Sequence, residues 1–432
     1  MMLQQYLKFI IEHIPYGIGR RLACVPFSLR LGRVYGCMRM ECATIEHAGN
    51  VVKERYAIEH FRNVFEYACA NFPCYRDLYA HAGVLDLHIE SFEDIRKIPV
   101  IDKRWTRKYI DEFKGAYRLN TGGSSGQPTP FWMDKRCWAR EWAHMHTIWE
   151  SIGYDWHDLK LSIRGKNLGR KPFSYNPVHN EFIINTYLKV SSYGNALSVL
   201  FRKRKIKWFH GYPSSIYQFI IEVEETFGKN GAKKLFKDVK GLLLSSEYPH
   251  PNQIEKFKEY GLRFVSWYGH SEMAILANGG ESLCYRPFVT YGMTEVVNGH
   301  LVGTSYHNFD MPLIRYDTGD EVKEIEQTPG GLCEAFEVSV GRQGDYLEDK
   351  GGKKIPITAF VFGRHHHAFD VVDYVQLRQT VAGKCTLFVV NDKSHCEDLY
   401  SLFDLKGVDI DFDVRTLNAP IRTAAGKLML RV

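Results

Sequence analysis

The segment Asn120-Thr121-Gly122-Gly123-Ser124-Ser125-Gly126-Gln127-Pro128-Thr129-Pro130 gathers the residue types that hold an anion. Its glycines let the backbone turn sharply and approach a phosphate closely, and its hydroxyl-bearing residues add side-chain donors to exposed backbone N–H groups. Such a loop suits a polyphosphate. The spacing differs from G-x-x-x-x-G-K-[ST], and Gln127 stands where a lysine would supply charge, so the loop is not that of the P-loop NTPases. A plain solvated loop is the competing reading. Further along, Val265-Ser266-Trp267-Tyr268-Gly269-His270-Ser271-Glu272 reads as a buried strand that brings an aromatic ring, a glycine turn, a hydroxyl and a carboxylate to one strand end. Pro312-Leu313-Ile314-Arg315-Tyr316-Asp317-Thr318-Gly319-Asp320 adds a fixed carboxylate beside a second glycine turn.

In this order the three segments resemble the adenylate-forming superfamily of acyl-CoA synthetases and ligases. The resemblance is closest to the phenylacetate-CoA ligase-like branch, which includes the CapK-type proteins of capsular polysaccharide loci. Gly341-Arg342-Gln343-Gly344-Asp345 resembles the superfamily's hinge, and Thr423-Ala424-Ala425-Gly426-Lys427-Leu428 its C-terminal lysine motif. The matches run from residue 120 to the end of the chain, and the residues before them add little.

The resemblance implies an α/β fold with a large adenylate-forming N-terminal domain of β-sheets and packed helices over 1–344. A small mobile α+β lid domain would follow over 345–432. It implies a ligase that uses ATP and Mg²⁺ to turn a small-molecule carboxylate into an acyl-adenylate and then passes the acyl group to CoA or another acceptor, in surface polysaccharide biosynthesis. Thr121, Gly122, Gly123, Ser124, Ser125 and Gly126 would wrap the phosphates, with one charge contact in doubt because of Gln127. Ser246 and Glu247 would lie beside adenine, Tyr268 would stack on it next to the Gly269 turn, and Ser271 would face the α-phosphate. Glu272 would hold Mg²⁺ through a hard oxygen contact. Asp320 would accept hydrogen bonds from both ribose hydroxyls, and Arg342 would pair with ribose or phosphate at the hinge. Lys427 would reach the substrate carboxylate and the α-phosphate during adenylation, then withdraw with the lid to admit a thiol.

Each residue also has a plainer reading. Tyr268 and Glu272 can be core packing and a surface charge, Asp320 an Asx-turn cap, Arg342 a surface ion pair and Lys427 a solvated terminus. Two other functions compete: a nucleotidyltransferase that leaves AMP on its substrate, and a non-catalytic scaffold in polysaccharide assembly. The presence of Glu272, Asp320 and Lys427 together argues against the scaffold. Tyr291-Gly292-Met293-Thr294-Glu295 repeats the Y-G-x-[ST]-E pattern after a Cys284 segment and before Gly303-Thr304-Ser305; the resemblance implies a structural strand at that location, so the earlier copy is preferred. His210-Gly211-Tyr212-Pro213-Ser214 lines an acyl pocket or makes a simple turn. Three adjacent residues, His365, His366 and His367, cannot readily converge on one ion in regular structure. His144 and His146, among Trp138, Trp142 and Trp149, read as helix packing.

These residues need elements to hold them. The chain has 432 residues, 45% of them hydrophobic and 25% charged, enough for two or three domains with a buried core. Apolar positions from Val51 to Phe72 keep helical spacing up to Pro73. Gly241 to Glu247 and Leu262 to Trp267 read as strands on either side of a helix near Pro251 to Tyr260, the alternation of an α/β sheet whose strand ends carry functional loops. Glu324 to Gly331 reads as a turn, Lys350 to Lys353 as a hairpin, Thr386 to Val390 and Val408 to Phe412 as strands, and Glu397 to Phe403 as helical. Ten cysteines form no C-x-x-C pair, which fits a reducing cytoplasm rather than a disulfide framework or zinc ribbon. The net charge of +6 without a long basic block gives no case for nucleic acid; the run from Arg202 to Lys207 reads as a solvated helix end or a loop before a strand. Leu7 to Ile14 is too short and too interrupted to span a bilayer; with Arg20, Arg21, Arg30 and Arg33 it forms an amphipathic stretch for which packing on the domain and peripheral membrane contact are the two readings.

Overall fold

The computed structural model describes residues 14–121, 129–166, 168–245, 247–339, 346–362, 364, 366–372, 374–390, 398–421 and 430–432. The N-terminal layer is helical, with α1 (Gly32–Ile45) and α2 (Asn50–Asn71). Helix α2 forms because Ala57, Phe61, Val64, Phe65 and Ala68 fall on one face and bury there. It stops where Phe72, preceding Pro73, takes an extended conformation, as the proline ring requires.

A hairpin of β1 (Tyr117–Asn120) and β2 (Pro130–Met133) leads into α3 (Cys137–Glu150). The main sheet is built from β3 (Leu159–Ile163), β4 (Phe173–Asn176), β5 (Glu181–Ile184), then, after α4 (Val190–Lys203), β6 (Ile206–Gly211). Helix α5 (Pro213–Leu235), β7 (Gly241–Leu244), α6 (Pro251–Glu259), β8 (Arg263–Gly269), β9 (Leu276–Gly280) and β10 (Arg286–Pro287) complete it. The strand order is β10-β9-β8-β7-β6-β3-β5-β4, parallel through β8, β7, β6, β3 and β5 with antiparallel neighbours at both edges. Strand β7, Gly-Leu-Leu-Leu, is an apolar run without polar alternation because both of its faces are covered. In β7, Leu242 and Leu244 join the core under α4, α5 and α6, while Leu243 joins Trp149 and Trp208 on the α3 side.

A second, antiparallel sheet of β11 (Gly292–Val297), β12 (His300–Ser305), β13 (Tyr316–Gln327) and β14 (Cys333–Val338) shares its core with α2, through Phe61, Val64, Met293 and Leu301. Strand β13 runs on through Glu324, Ile325 and Glu326, where the sequence suggests a turn. Glu324 and Glu326 pair with Phe336 and Ala335 of β14, and the turn starts only at Thr328. The charges sit there because this end of the strand is exposed.

The C-terminal part begins with the hairpin of β15 (Tyr346–Glu348) and β16 (Lys354–Pro356), turning at Gly352 with φ +74°. It continues to the sheet β17 (Tyr374–Val381), β18 (Lys384–Val390) and β19 (Asp411–Leu417), in which β18 and β19 are parallel. The region near Phe403 forms only a short 3₁₀ turn, Leu399–Leu402, and β19 starts later than the apolar pattern suggests. In this arrangement a buried ion pair, Lys353 Nζ to Glu222 Oε1 at 2.7 Å, joins this part to the larger one. The other Glu222 oxygen caps the Val190 amide at 2.9 Å. Gly165 lies so close to Ala359 that a Cβ would come within 2.4 Å, so only glycine fits. No helix among the described residues is long and apolar enough to cross a membrane.

Candidate active site

Parallel strands place their C-terminal ends along one sheet edge, the usual place for ligands in α/β proteins. Here Ile163, Gly211, Leu244 and Ser266 lie in register on β3, β6, β7 and β8. Strand β8 then carries Tyr268 and Gly269 to the edge, and the turn into β9 holds His270, Ser271, Glu272 and Met273, whose φ of +54° helps reverse the chain. Ser271 is exposed, and Glu272 is 5% exposed.

Two tyrosines hold the two carboxylates. The Tyr268 hydroxyl donates to Asp320 Oδ2 at 2.6 Å, and burial together with that carboxylate pushes the phenol well above its ordinary pKa. The Tyr316 hydroxyl donates to Glu272 Oε1 at 2.8 Å. Ile275 N–H donates to His270 Nε2 at 3.2 Å, which puts the ring proton on Nδ1, 3.2 Å from Glu272 Oε2. Burial alone would raise the Glu272 carboxyl; the His270 contact, the Lys103 charge and the Tyr316 hydroxyl overcome it and hold the group at about 2. Glu272 is therefore an ionised, positioned carboxylate at neutral pH. Each of its oxygens accepts one protein hydrogen bond and keeps a lone pair. Among the described residues no cluster of three His, Cys, Asp or Glu side chains can hold a metal. A single carboxylate of this kind fits Mg²⁺, which takes one or two protein carboxylates and fills its octahedron with phosphate oxygens and water.

The glycine loop is closed at its base. Thr121 N–H donates to Thr129 O, and Thr129 N–H donates to Thr121 Oγ1, both at 3.0 Å. Gly122, Gly123, Ser124, Ser125 and Gly126 lie outside the described residues, as do Ser246, Arg342 and Lys427.

A pair of cations that the motifs do not reveal stands beside this base. Arg107 Nη1 donates to Thr129 Oγ1 at 2.9 Å. Lys103, one helical turn earlier, puts Nζ 4.0 Å from where a side chain on Gly319 would start, next to Asp320. Asp102 caps their short helix through the Arg104 and Trp105 amides, each at 2.9 Å. Backbone bonds from Ile101 to Arg315 and Asp317 carry that helix to the site. Lys103 has no ion-pair partner among the described residues. The Lys-x-x-x-Arg spacing is visible in the sequence, but the pairing of Ile101 with a strand more than two hundred residues later is not.

Other candidates are engaged elsewhere. Glu247 is buried with its carboxylate turned to the start of α5, accepting from Ser214 N at 3.0 Å and Ser214 Oγ at 2.8 Å, so its side chain serves a helix N-terminus. His210 is buried between Trp149 and Trp267, with Nδ1 3.8 Å from Glu181. His144 bonds Arg140 O and Thr290 Oγ1, and His146 bonds the Tyr35 hydroxyl. His366 bonds Phe360 O and the Asp404 amide.

Glu295, in the second Y-G-x-[ST]-E copy, lies on β11 and grips Arg315 with both oxygens at 3.0 Å. Arg315 also donates to Arg96 O and Ile98 O and adopts φ +49°. Removing one partner of a buried pair strands the other charge, so Glu295→Ala should cost about 3 to 5 kcal/mol of stability. Denaturant unfolding of the variant checks this, and an unchanged midpoint would contradict it.

Burial leaves several histidines neutral. It pushes His144 down to about 3 and His179, His210 and His307 to about 4. Unfolded histidine takes up a proton near pH 6.5, so in the window from about 6.5 to 4 the unfolded chain binds more protons. Stability is full above that window and falls as the pH drops through it. Thermal unfolding should show a Tm that declines steadily from pH 7 to pH 5; a flat Tm over this range would contradict the assignment.

The fold matches that of a solved ligase. An open conformation of 2-hydroxyisobutyryl-CoA ligase in complex with 2-HIB-AMP and CoA is 17% identical to this chain, with a TM-score of 0.50 and coverage of 88% of this chain and 92% of that one. The same enzyme with the same two ligands in its thioesterification state is 16% identical, with a TM-score of 0.51 and coverage of 89% and 90%. No family model and no curated protein matches the sequence. What the comparison establishes is the fold: that of an adenylate-forming acyl-CoA ligase, with large sheets and packed helices followed by a small C-terminal part.

Proposed function

We propose that this protein activates a small carboxylic acid with ATP through an acyl-adenylate and passes the acyl group to CoA, as a ligase of the phenylacetate-CoA ligase-like branch serving surface polysaccharide biosynthesis. One observation carries the reading: the ionised Glu272 and the tyrosine-held Asp320 meet the Lys103 and Arg107 cations and the closed base of the glycine loop at one sheet edge. Carboxylates for ribose and metal beside cations for phosphate form the environment a nucleoside triphosphate needs. The fold shared with a ligase captured with an acyl-adenylate and CoA supports the same reaction.

In this reading a carboxylate oxygen attacks the α-phosphorus, the bond to the β-phosphate bridge breaks, and pyrophosphate leaves. The thiol of CoA then attacks the acyl carbon and AMP leaves. Thr121 to Gly126 wrap the phosphates, and Lys103 and Arg107 supply the charge that Gln127 does not. Tyr268 serves adenine and fixes Asp320 for the ribose. Gly269 leaves room at the turn, Ser271 faces the α-phosphate, and Ser246 and Glu247 contribute backbone near the base. Glu272 holds Mg²⁺, which when bound neutralises charge on the phosphates. Residues 345–432 act as the lid, with Arg342 at its hinge and Lys427 delivered for adenylation. The nine described cysteines are unpaired, which supports a cytoplasmic setting.

Acid-dependent ATP–pyrophosphate exchange across a carboxylate library tests the reading. Exchange with at least one acid is expected. Turnover of ATP only to ADP would contradict it.

A further inference from the structure

We propose that the N-terminal helical layer is a docking surface for an anionic lipid bilayer. Residues 14–40 contain five arginines and no aspartate, glutamate or lysine, in a chain whose formal net charge is only +6. The stretch is therefore locally basic.

That place has a buried side and an open side. Inward, Tyr16 stacks on Phe182 and meets Tyr175 edge-on, and a Cβ on Gly19 would come within 2.9 Å of Tyr175. Phe27, Tyr35 and Met38 pack with Ala139 and Ala143 of α3. Outward, Ile18 is 61% exposed, Leu29 75% and Met40 70%; only Val51, at 77%, exceeds them among the large apolar side chains of the described residues. On α1 the exposed residues Arg33, Cys37, Met40 and Thr44 recur at spacings of four, three and four, which is one helical face.

The arginines divide in the same way. Arg30 ties the layer to the sheet through Val178 O at 2.5 Å and braces the layer itself through Val25 O, and Arg39 bonds Thr147 and Glu150. Arg20, Arg21 and Arg33 are exposed and make no ion pair among the described residues. Three exposed cations and three exposed aliphatic side chains on the same helical layer supply the two signals, electrostatic and apolar, that peripheral attachment to a bilayer needs. The exposed apolar residues are aliphatic, whereas a single-stranded nucleic acid is held by aromatic platforms. A second copy of this face would set arginine against arginine. An anionic bilayer satisfies both halves of the surface.

Sedimentation of the full chain with phosphatidylcholine vesicles, with or without phosphatidylglycerol, tests the proposal. Binding is expected only to the anionic vesicles and should weaken as salt rises. The triple variant Arg20→Gln/Arg21→Gln/Arg33→Gln should partition about tenfold less, and its lysine counterpart should keep binding. Ile18→Ser/Leu29→Ser/Met40→Ser should also lose about tenfold while charge is unchanged. Unaltered thermal unfolding of each variant confirms that the layer is folded. The proposal is overturned by no binding to anionic vesicles, by equal binding to neutral ones, or by wild-type binding in both triple variants. Binding of RNA in preference to vesicles, or a dimer abolished by the serine changes, would likewise overturn it in favour of another occupant.

Discussion

Glu272→Gln is expected to lower acid-dependent ATP–pyrophosphate exchange by about 100- to 1,000-fold, the usual scale for losing one preorganised electrostatic contact. Glutamine keeps the volume and can still accept from Tyr316. It removes the charge that His270, Lys103 and Tyr316 hold in place despite burial. Its amide also faces His270 Nδ1–H, and the ring cannot change tautomer cheaply because Nε2 already accepts from Ile275. The defect should therefore be largest at low Mg²⁺, where a missing metal contact is least compensated by mass action. Glu295 provides the control with the same local motif. Its carboxylate is spent on Arg315, so Glu295→Gln should reduce stability and leave the exchange rate per folded molecule within a few-fold of wild type, with roughly threefold as the bound. Comparable catalytic losses in the two folded variants would mean that the site uses the wrong copy in this account.

Lys427→Ala should depress acyl-adenylate formation by about 100-fold or more while changing ATP affinity much less. This is the signature of a contact made in the transition state. In the proposed lid, the lysine ammonium meets the attacking carboxylate and the α-phosphate only in the adenylation position. The second step needs a different lid position and should survive. A preformed acyl-adenylate of the cognate acid should restore CoA transfer in the variant. Failure of that rescue in a folded protein would count against two lid positions, and wild-type adenylation would remove Lys427 from the mechanism.

Local chemistry was legible and long-range chemistry was not. The Tyr268 to Glu272 strand end could be read because a strand, a glycine turn and a carboxylate are contiguous, and β8 ends there. The α2 boundary could be read because Pro73 acts on its neighbour. The hydrogen bond from Tyr268 to Asp320 joins two motifs across 52 residues, and neither motif encodes its partner. Lys103 and Arg107 lie on a short charged helix, and only the pairing of Ile101 with the Tyr316 strand brings that helix to the site. Glu247 has the right position at a strand end, but the start of α5 offers its carboxylate a free amide and a hydroxyl, and that competition is a matter of packing. Glu324 to Gln327 looked like a turn by composition, although an exposed strand end tolerates alternating charge as readily as a loop does.

Transfer of heavy oxygen from the substrate carboxylate tests the central claim most directly. With a cognate acid labelled in its carboxylate, ATP, Mg²⁺ and CoA, the account predicts that released AMP carries one labelled oxygen and that the acyl group appears as its CoA thioester. That oxygen becomes the bridge of the acyl-adenylate and leaves with AMP when the thiol attacks. Unlabelled AMP, ADP in place of AMP, or a stable product that retains AMP would contradict it.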